Sequence, residues 1–219
     1  MCYRTGISKE AKELKEHFGV EFTQPETWNP RHTINGFEYP KTPIITDDKP
    51  LDIQLGRWAL IPHFVKDVKA FRKKSNTLNA KIETVSELPS YRNSINRRCL
   101  VIVDRFYEYK WLDEKGKQKS LHEITVPDKS IFTLAGLHSK YTDEDTGELI
   151  ESYTILTTEA NTLMAQIHNS AKRMPVVLHK DEENLWLNDD ALEHYYNRSE
   201  IELVAVPVES IKPTLDLFS

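Results

Sequence analysis

The sequence predicts an α+β fold with a mostly antiparallel, barrel-like β-sheet core flanked by short helices. Three observations carry this. Segments with strand periodicity outnumber those with helical periodicity. The two kinds do not alternate as a parallel βαβ chain requires. Gly116 and Gly147 fall in polar loops between strand-like segments, where hairpin turns belong.

In chain order, Ser8 can cap a helix with Ala11, Leu14 and Phe18 on one face and Gly19 as its stop. Val20 to Thr23 alternates like a strand. Pro25 to Pro43 reads as a long ordered loop anchored by Trp28, Phe37 and Tyr39. Ile44 to Thr46 and the alternating Leu51, Ile53 and Leu55 form two strands around the turn Asp47-Asp48-Lys49-Pro50. Further strands are expected at Cys99 to Val103, Phe106 to Trp111, Ile131 to Leu134, Tyr153 to Thr157 and Val204 to Val208. Short helices are expected after Ser86, over Glu159 to Gln166 and over Glu182 to Leu187. Neither repeat nor linker divides residues 1–219, so a single domain is expected, with a last strand and tail over 200–219.

Charged residues at 29% and hydrophobic ones at 39% suit a globular protein with a sizeable core. No apolar run approaches the ~18 residues of a membrane span. The opening residues lack a charged-then-apolar leader, so a cytoplasmic location is expected. The two cysteines, Cys2 and Cys99, cannot build a disulfide framework or a four-cysteine zinc site. The net charge of −5 argues against coating duplex DNA by bulk electrostatics. Its distribution is uneven: residues 57–105 carry eleven basic side chains against four acids, +7, leaving −12 elsewhere. Such a stretch is a candidate phosphate-binding stripe or a solvated face.

Four places carry candidate chemistry. Removal of Met1 would leave Cys2 with a free α-amine and a thiol on neighbouring carbons. Together these condense with an aldehyde to a Schiff base and then a thiazolidine, and reference pKa values of ~8 and ~8.5 keep both nucleophiles available near neutrality. Read alone, Cys2 is an ordinary small buried residue, the commoner fate of a free cysteine. Asn79, Lys81 and Glu83 share one face of an extended segment, away from Leu78, Ala80 and Ile82, which suits a sugar-phosphate or a solvated strand edge. Glu108 sits among aromatics and can serve as a proton donor or acceptor, or as half of a cross-strand ion pair. His168 follows a helix and Arg173 precedes an apolar strand. The other histidines show no HxxxH or HxH spacing, so no metal and no cofactor are expected.

The order of these segments carries a resemblance. Met1-Cys2-Tyr3-Arg4 is followed by Trp58-Ala59-Leu60-Ile61-Pro62 and by Leu78-Asn79-Ala80-Lys81-Ile82-Glu83-Thr84. Next come Arg98 to Trp111, Ile155-Leu156-Thr157-Thr158-Glu159-Ala160-Asn161, and Ile167-His168 with Arg173-Met174-Pro175-Val176-Val177-Leu178. Spread over residues 2 to about 187, this resembles the SRAP (SOS response-associated peptidase) family, whose members shield abasic sites.

The resemblance implies covalent capture of abasic sites in single-stranded DNA, as a thiazolidine on Cys2. It makes Cys2 the nucleophile, with Asn79 orienting the sugar and the amine. Glu108 would move the proton at the ring oxygen, and His168 would assist ring opening and imine formation. Arg4, Lys81 and Arg173 match phosphate-holding positions, and Phe64 matches a base-wedging aromatic. It also implies self-removal of Met1, action as a monomer with no membrane partner, and work at damage sites on the nucleoid. Two rival readings remain: a Cys2/His168 thiol hydrolase or peptidase, indifferent to acetylation of the amine, and a non-covalent single-strand-binding module. The chain departs from the family pattern at Asn35-Gly36-Phe37-Glu38-Tyr39-Pro40 in place of Asn-x-x-Pro, and at Lys81 in place of Arg. It departs again at Phe64-Val65, in place of bulkier aromatics, and in a longer segment between His168 and Arg173.

Overall fold

The computed structural model describes residues 2–208 apart from 145, so Met1 and the tail 209–219 lie outside the described residues. The strands run β1 (Arg4–Ile7), β2 (Glu21–Phe22), β3 (Arg31–Asn35), β4 (Lys41–Thr46), β5 (Lys49–Trp58), β6 (Asn79–Lys81) and β7 (Arg98–Val103). They continue with β8 (Arg105–Trp111), β9 (Lys119–Thr125), β10 (Phe132–Thr142), β11 (Leu149–Glu159), β12 (Arg173–Pro175), β13 (Val177–Leu178) and β14 (Val204–Pro207). The helices are α1 (Ala11–Phe18), α2 (Val68–Lys74), α3 (Thr162–Ile167) and α4 (Glu182–Leu187).

Five strands close into a barrel. β11, β10, β7, β4 and β5 pair antiparallel in turn, and β11 returns to β5 in parallel through Ser152–Arg57 and Tyr153–Trp58. Closure leaves little space inside, and a Cβ on Gly136 would lie 2.8 Å from both Cys99 Sγ and Thr154 O. A second sheet, ordered β14-β9-β8-β1-β3, shares the same apolar core through Ile7, Phe106 and Ile124. The α+β, antiparallel-rich expectation holds, and no described helix is long and apolar enough to cross a membrane.

Several local expectations need correction. Residues 25–43 are not one loop, because β3 and the start of β4 lie within them. In β3 only Ile34 is buried, so this edge strand shows no alternation. β9 and α2 were not anticipated, and α2 buries none of its residues. Ser8 does not cap α1; it bonds Asp104 instead, while Glu10 and Glu13 form the capping box and Gly19 ends the helix at φ 68°. Around and after Ser86 the chain makes short 3-10 turns at Val85–Glu87 and Arg92–Ser94 rather than an α-helix. α3 begins late because Asn161 Oδ1 caps the Met164 N–H at 2.9 Å and β11 runs on to Glu159.

Candidate active site

β1 lies between β8 and β3, with Arg4 opposite both Tyr107 and Asn35. This register carries the residues before β1 alongside Glu108 on β8. Cys2 is fully buried there, its Sγ 3.4 Å from Arg4 O. β6 runs parallel to β11 and brings Asn79 to the same point, where its Nδ2 donates to Cys2 O at 2.8 Å. The Trp58 indole N–H holds Leu78 O at 2.8 Å and the Tyr91 hydroxyl holds Asn79 O at 3.2 Å, so the strand carrying Asn79 is pinned from two sides. Asn79 Oδ1 is buried and has no hydrogen-bond partner among the described residues.

α3 packs against β8 and ends where His168 takes a non-helical conformation, φ −84° and ψ 53°. His168 Nδ1 donates to Arg173 O at 2.8 Å and lies 4.0 Å from Glu108 Oε1. Because a carbonyl only accepts, the neutral ring carries its proton on Nδ1, which makes Nε2 the basic nitrogen. Asn169 grips the end of β8 in both directions, accepting the Trp111 N–H at 3.0 Å and donating to Trp111 O at 2.9 Å. The longer segment after His168 is thereby docked on the strand that bears Glu108.

Burial, and then the Glu108 carboxylate, push the Cys2 thiol well above its ordinary range. The same two causes raise the Tyr3 hydroxyl, against the pull of its hydrogen bond with Asn76. An open cleft of about 190 Å³ reaches Glu108, lined also by Tyr3, Arg4, Phe37 and Tyr109.

Of the expected DNA contacts, Arg4 lies over the Tyr109 ring at 5.7 Å in this cleft, and Lys81 is exposed two residues beyond Asn79. Phe64 is 51% exposed on the turn after β5, edge-on to His63. Arg173 faces inward and forks onto Glu83, Nη1 to Oε1 at 2.9 Å and Nη2 to Oε2 at 2.7 Å. Burial alone would raise the Glu83 carboxyl, but this fork holds it below its usual range. The basic stretch is also thinner than its sequence suggests. Arg98 is buried on Trp186 and paired with Asp189 at 2.7 Å, and Arg105 is tied to Asp104 and Glu123. The exposed cations are Lys66, Lys69, Lys73, Lys74, Lys81, Arg92 and Arg97.

Tyr3 and Tyr91 were not singled out from sequence. Adjacency to Cys2 was the available signal for Tyr3, whereas nothing local marks Tyr91. Elsewhere, Asp47, Asp48 and His138 have ligand atoms within 4.8 Å of one another, but these groups already pair among themselves and with Lys140 and Glu151.

Fold and site together define a β-barrel protein whose candidate centre is assembled around its own second residue. The chain matches the SOS response associated peptidase (SRAP) family over residues 1–211 and belongs to that family. It is 35% identical over 190 residues to the abasic site processing protein YoqW of Bacillus subtilis, covering 86% of this chain and 80% of that one. It is 30% identical over 142 residues to the abasic site processing protein HMCES of Xenopus tropicalis, covering 58% of this chain but 42% of that longer one. A crystal structure of a protein from Bacteroides thetaiotaomicron superposes with a TM-score of 0.84 at 30% identity, covering 95% of this chain and 92% of that one.

Proposed function

We propose that the chain processes abasic sites in DNA, capturing the opened sugar of a single-stranded site as a thiazolidine on Cys2 once Met1 is removed. The observation that carries this reading is the meeting of Cys2, Asn79, Glu108 and His168 from four distant segments in one buried cluster beside an open cleft. The names of the relatives support it. The reading puts the protein in the cytoplasm at the nucleoid, acting as a monomer without cofactor.

An abasic sugar is mostly a closed hemiacetal, so ring opening comes first. His168 Nε2 takes the proton of the C1′ hydroxyl while Glu108, which takes up a proton as the sugar binds, gives it to the ring oxygen, leaving the aldehyde. The Cys2 amine, unprotonated, adds to C1′. Water then leaves with the proton held on His168, and an iminium remains. The sulfur attacks C1′, its proton passes to the Glu108 carboxylate, and the C=N electron pair returns to nitrogen. Both side chains end as they stood once the sugar was bound. Asn79 fixes the Cys2 carbonyl, and its Oδ1, without a partner among the described residues, suits the amine N–H, so the condensation proceeds from a held geometry.

A thiol held protonated by burial and by Glu108 suits this last step, where a carboxylate takes its proton as the ring closes. Thiol hydrolysis instead needs a depressed thiol pKa, which the site opposes.

The test mixes protein lacking Met1 with uracil-containing single-stranded DNA after uracil excision, without borohydride. A heat-stable conjugate on a denaturing gel is expected from the wild type, none from Cys2→Ala, and none after acetylation of the amine. Normal conjugate from Cys2→Ala would end the proposal.

A further inference from the structure

Phe37 is 54% exposed beside the cleft, and the backbone around it is fixed. The Gly36 N–H donates to Tyr3 O at 2.9 Å, and a Cβ on Gly36 would press within 3.2 Å of both that carbonyl and the Trp58 ring. Asn35 Oδ1 accepts the Phe37 N–H at 3.2 Å. Tyr39 then turns the chain at φ 53°, its N–H on Gly36 O at 2.9 Å. The Phe37 ring is thus half exposed to water and leans on the Tyr3 ring at 4.8 Å, one residue from Cys2.

Two cavities meet at this ring. One is the cleft that reaches Glu108. The other, about 130 Å³, is lined by Phe37, Tyr39, Arg72, Ser75 and Asn76 together with Thr77 and Leu78, which lead to Asn79. Arg72 lies over the Tyr39 ring at 3.9 Å, and its buried Nε and Nη2 have no hydrogen-bond partner among the described residues. Aromatic rings, a cation and an amide side chain around one cavity suit a single nucleobase, which offers a π face and polar edges. An abasic nucleotide supplies the reason for such a pocket, because it leaves the neighbouring base with one face unstacked in water.

We propose that the cavity between Phe37 and Arg72 binds the nucleobase next to the abasic position, with Phe37 stacked on the face the missing base leaves bare. The proposal rests on the functional reading above and extends it to a recognition site in this chain's remodelled loop. The cavity therefore contributes affinity without reading the damaged nucleotide itself.

The test uses the full chain and unreactive single strands carrying a tetrahydrofuran spacer, with 2-aminopurine on its 5′ side in one strand and its 3′ side in another. Binding is expected to change the 2-aminopurine fluorescence on one side. Phe37→Ala should abolish that change and weaken binding by roughly 5- to 100-fold, the range that base–aromatic stacking supplies, while Phe37→Trp should retain both. Replacing the 2-aminopurine with a second spacer should weaken the wild type to the level of Phe37→Ala and leave that variant unmoved. Unchanged affinity and signal in Phe37→Ala, or an equal effect of the second spacer on both proteins, would overturn the proposal alone. A wild type that binds neither strand would overturn the functional reading and this proposal together.

Discussion

Raising the pH from 6.5 to above 9 should weaken the fold through one side chain, His138. It is 2% exposed on β10, with Nε2 2.6 Å from Asp47 Oδ1 and Nδ1 2.7 Å from Glu151 Oε1. Arg98 and Lys140 also face this cluster, through the Arg98 backbone N–H on Asp47 and the Lys140 ammonium on Asp48. Burial alone would push the imidazole pKa down. The bonds to the two carboxylates overcome that and lift it from 6.5 to about 9. The folded state therefore keeps a proton that the unfolded chain has lost, so the stabilisation is fully present below 6.5 and disappears as the pH rises through about 9. A shift of that size corresponds to about 3 kcal/mol. Cys2 and Cys99, both raised by burial, act in the same direction at higher pH, so the comparison must be with a variant that keeps them. The difference in unfolding free energy between wild type and His138→Gln should be about 3 kcal/mol larger at pH 6 than at pH 9.5, with the gap in Tm narrowing by roughly 6–12 °C. Parallel pH profiles for the two proteins in chemical or thermal denaturation would refute the reasoning.

Three further outcomes are expected. Asn79→Ala removes the 2.8 Å bond to the Cys2 carbonyl and should slow conjugate formation by roughly 5- to 100-fold, the cost of losing one buried bond; single-turnover gels check it, and an unchanged rate would exclude a positioning role. Glu83→Gln breaks the charge pairing that holds Arg173 inward and should steepen the salt dependence of single-strand binding by about 0.7 of a unit of log–log slope, as one more cation meets phosphate; an unchanged slope would mean that Arg173 stays a structural residue. In a Cys99→Ala background, Cys2 should react slowly with a neutral maleimide at pH 8, and Glu108→Gln should accelerate it, because the carboxylate is one of the two causes that raise the thiol. Equal rates in both would remove the electrostatic coupling on which the proton transfer depends.

Much of the barrel was legible because its strands are apolar or alternating runs: Arg98–Val103 is buried throughout, and the hairpins turn at Gly116 and Gly147 with positive φ. β3 was not legible because only Ile34 is buried, and β9 because one of its two alternating buried positions is the polar His122. The candidate centre was legible as residue types in order, Cys2, Asn79, Glu108 and His168. Their mutual placement was not. Nothing near Asn79 says that its amide meets the Cys2 carbonyl, and nothing near Arg173 says that Glu83 occupies its fork. Local sequence determined where strands and turns form, because side-chain periodicity and glycine backbone freedom act over a few residues. Only the tertiary structure decided the parallel closure of β5 on β11, the inward turn of Arg98, Arg105 and Arg173, and the exposure of Phe37. Each of those depends on the register between segments remote in the chain, and that register is set by the packing of the whole core.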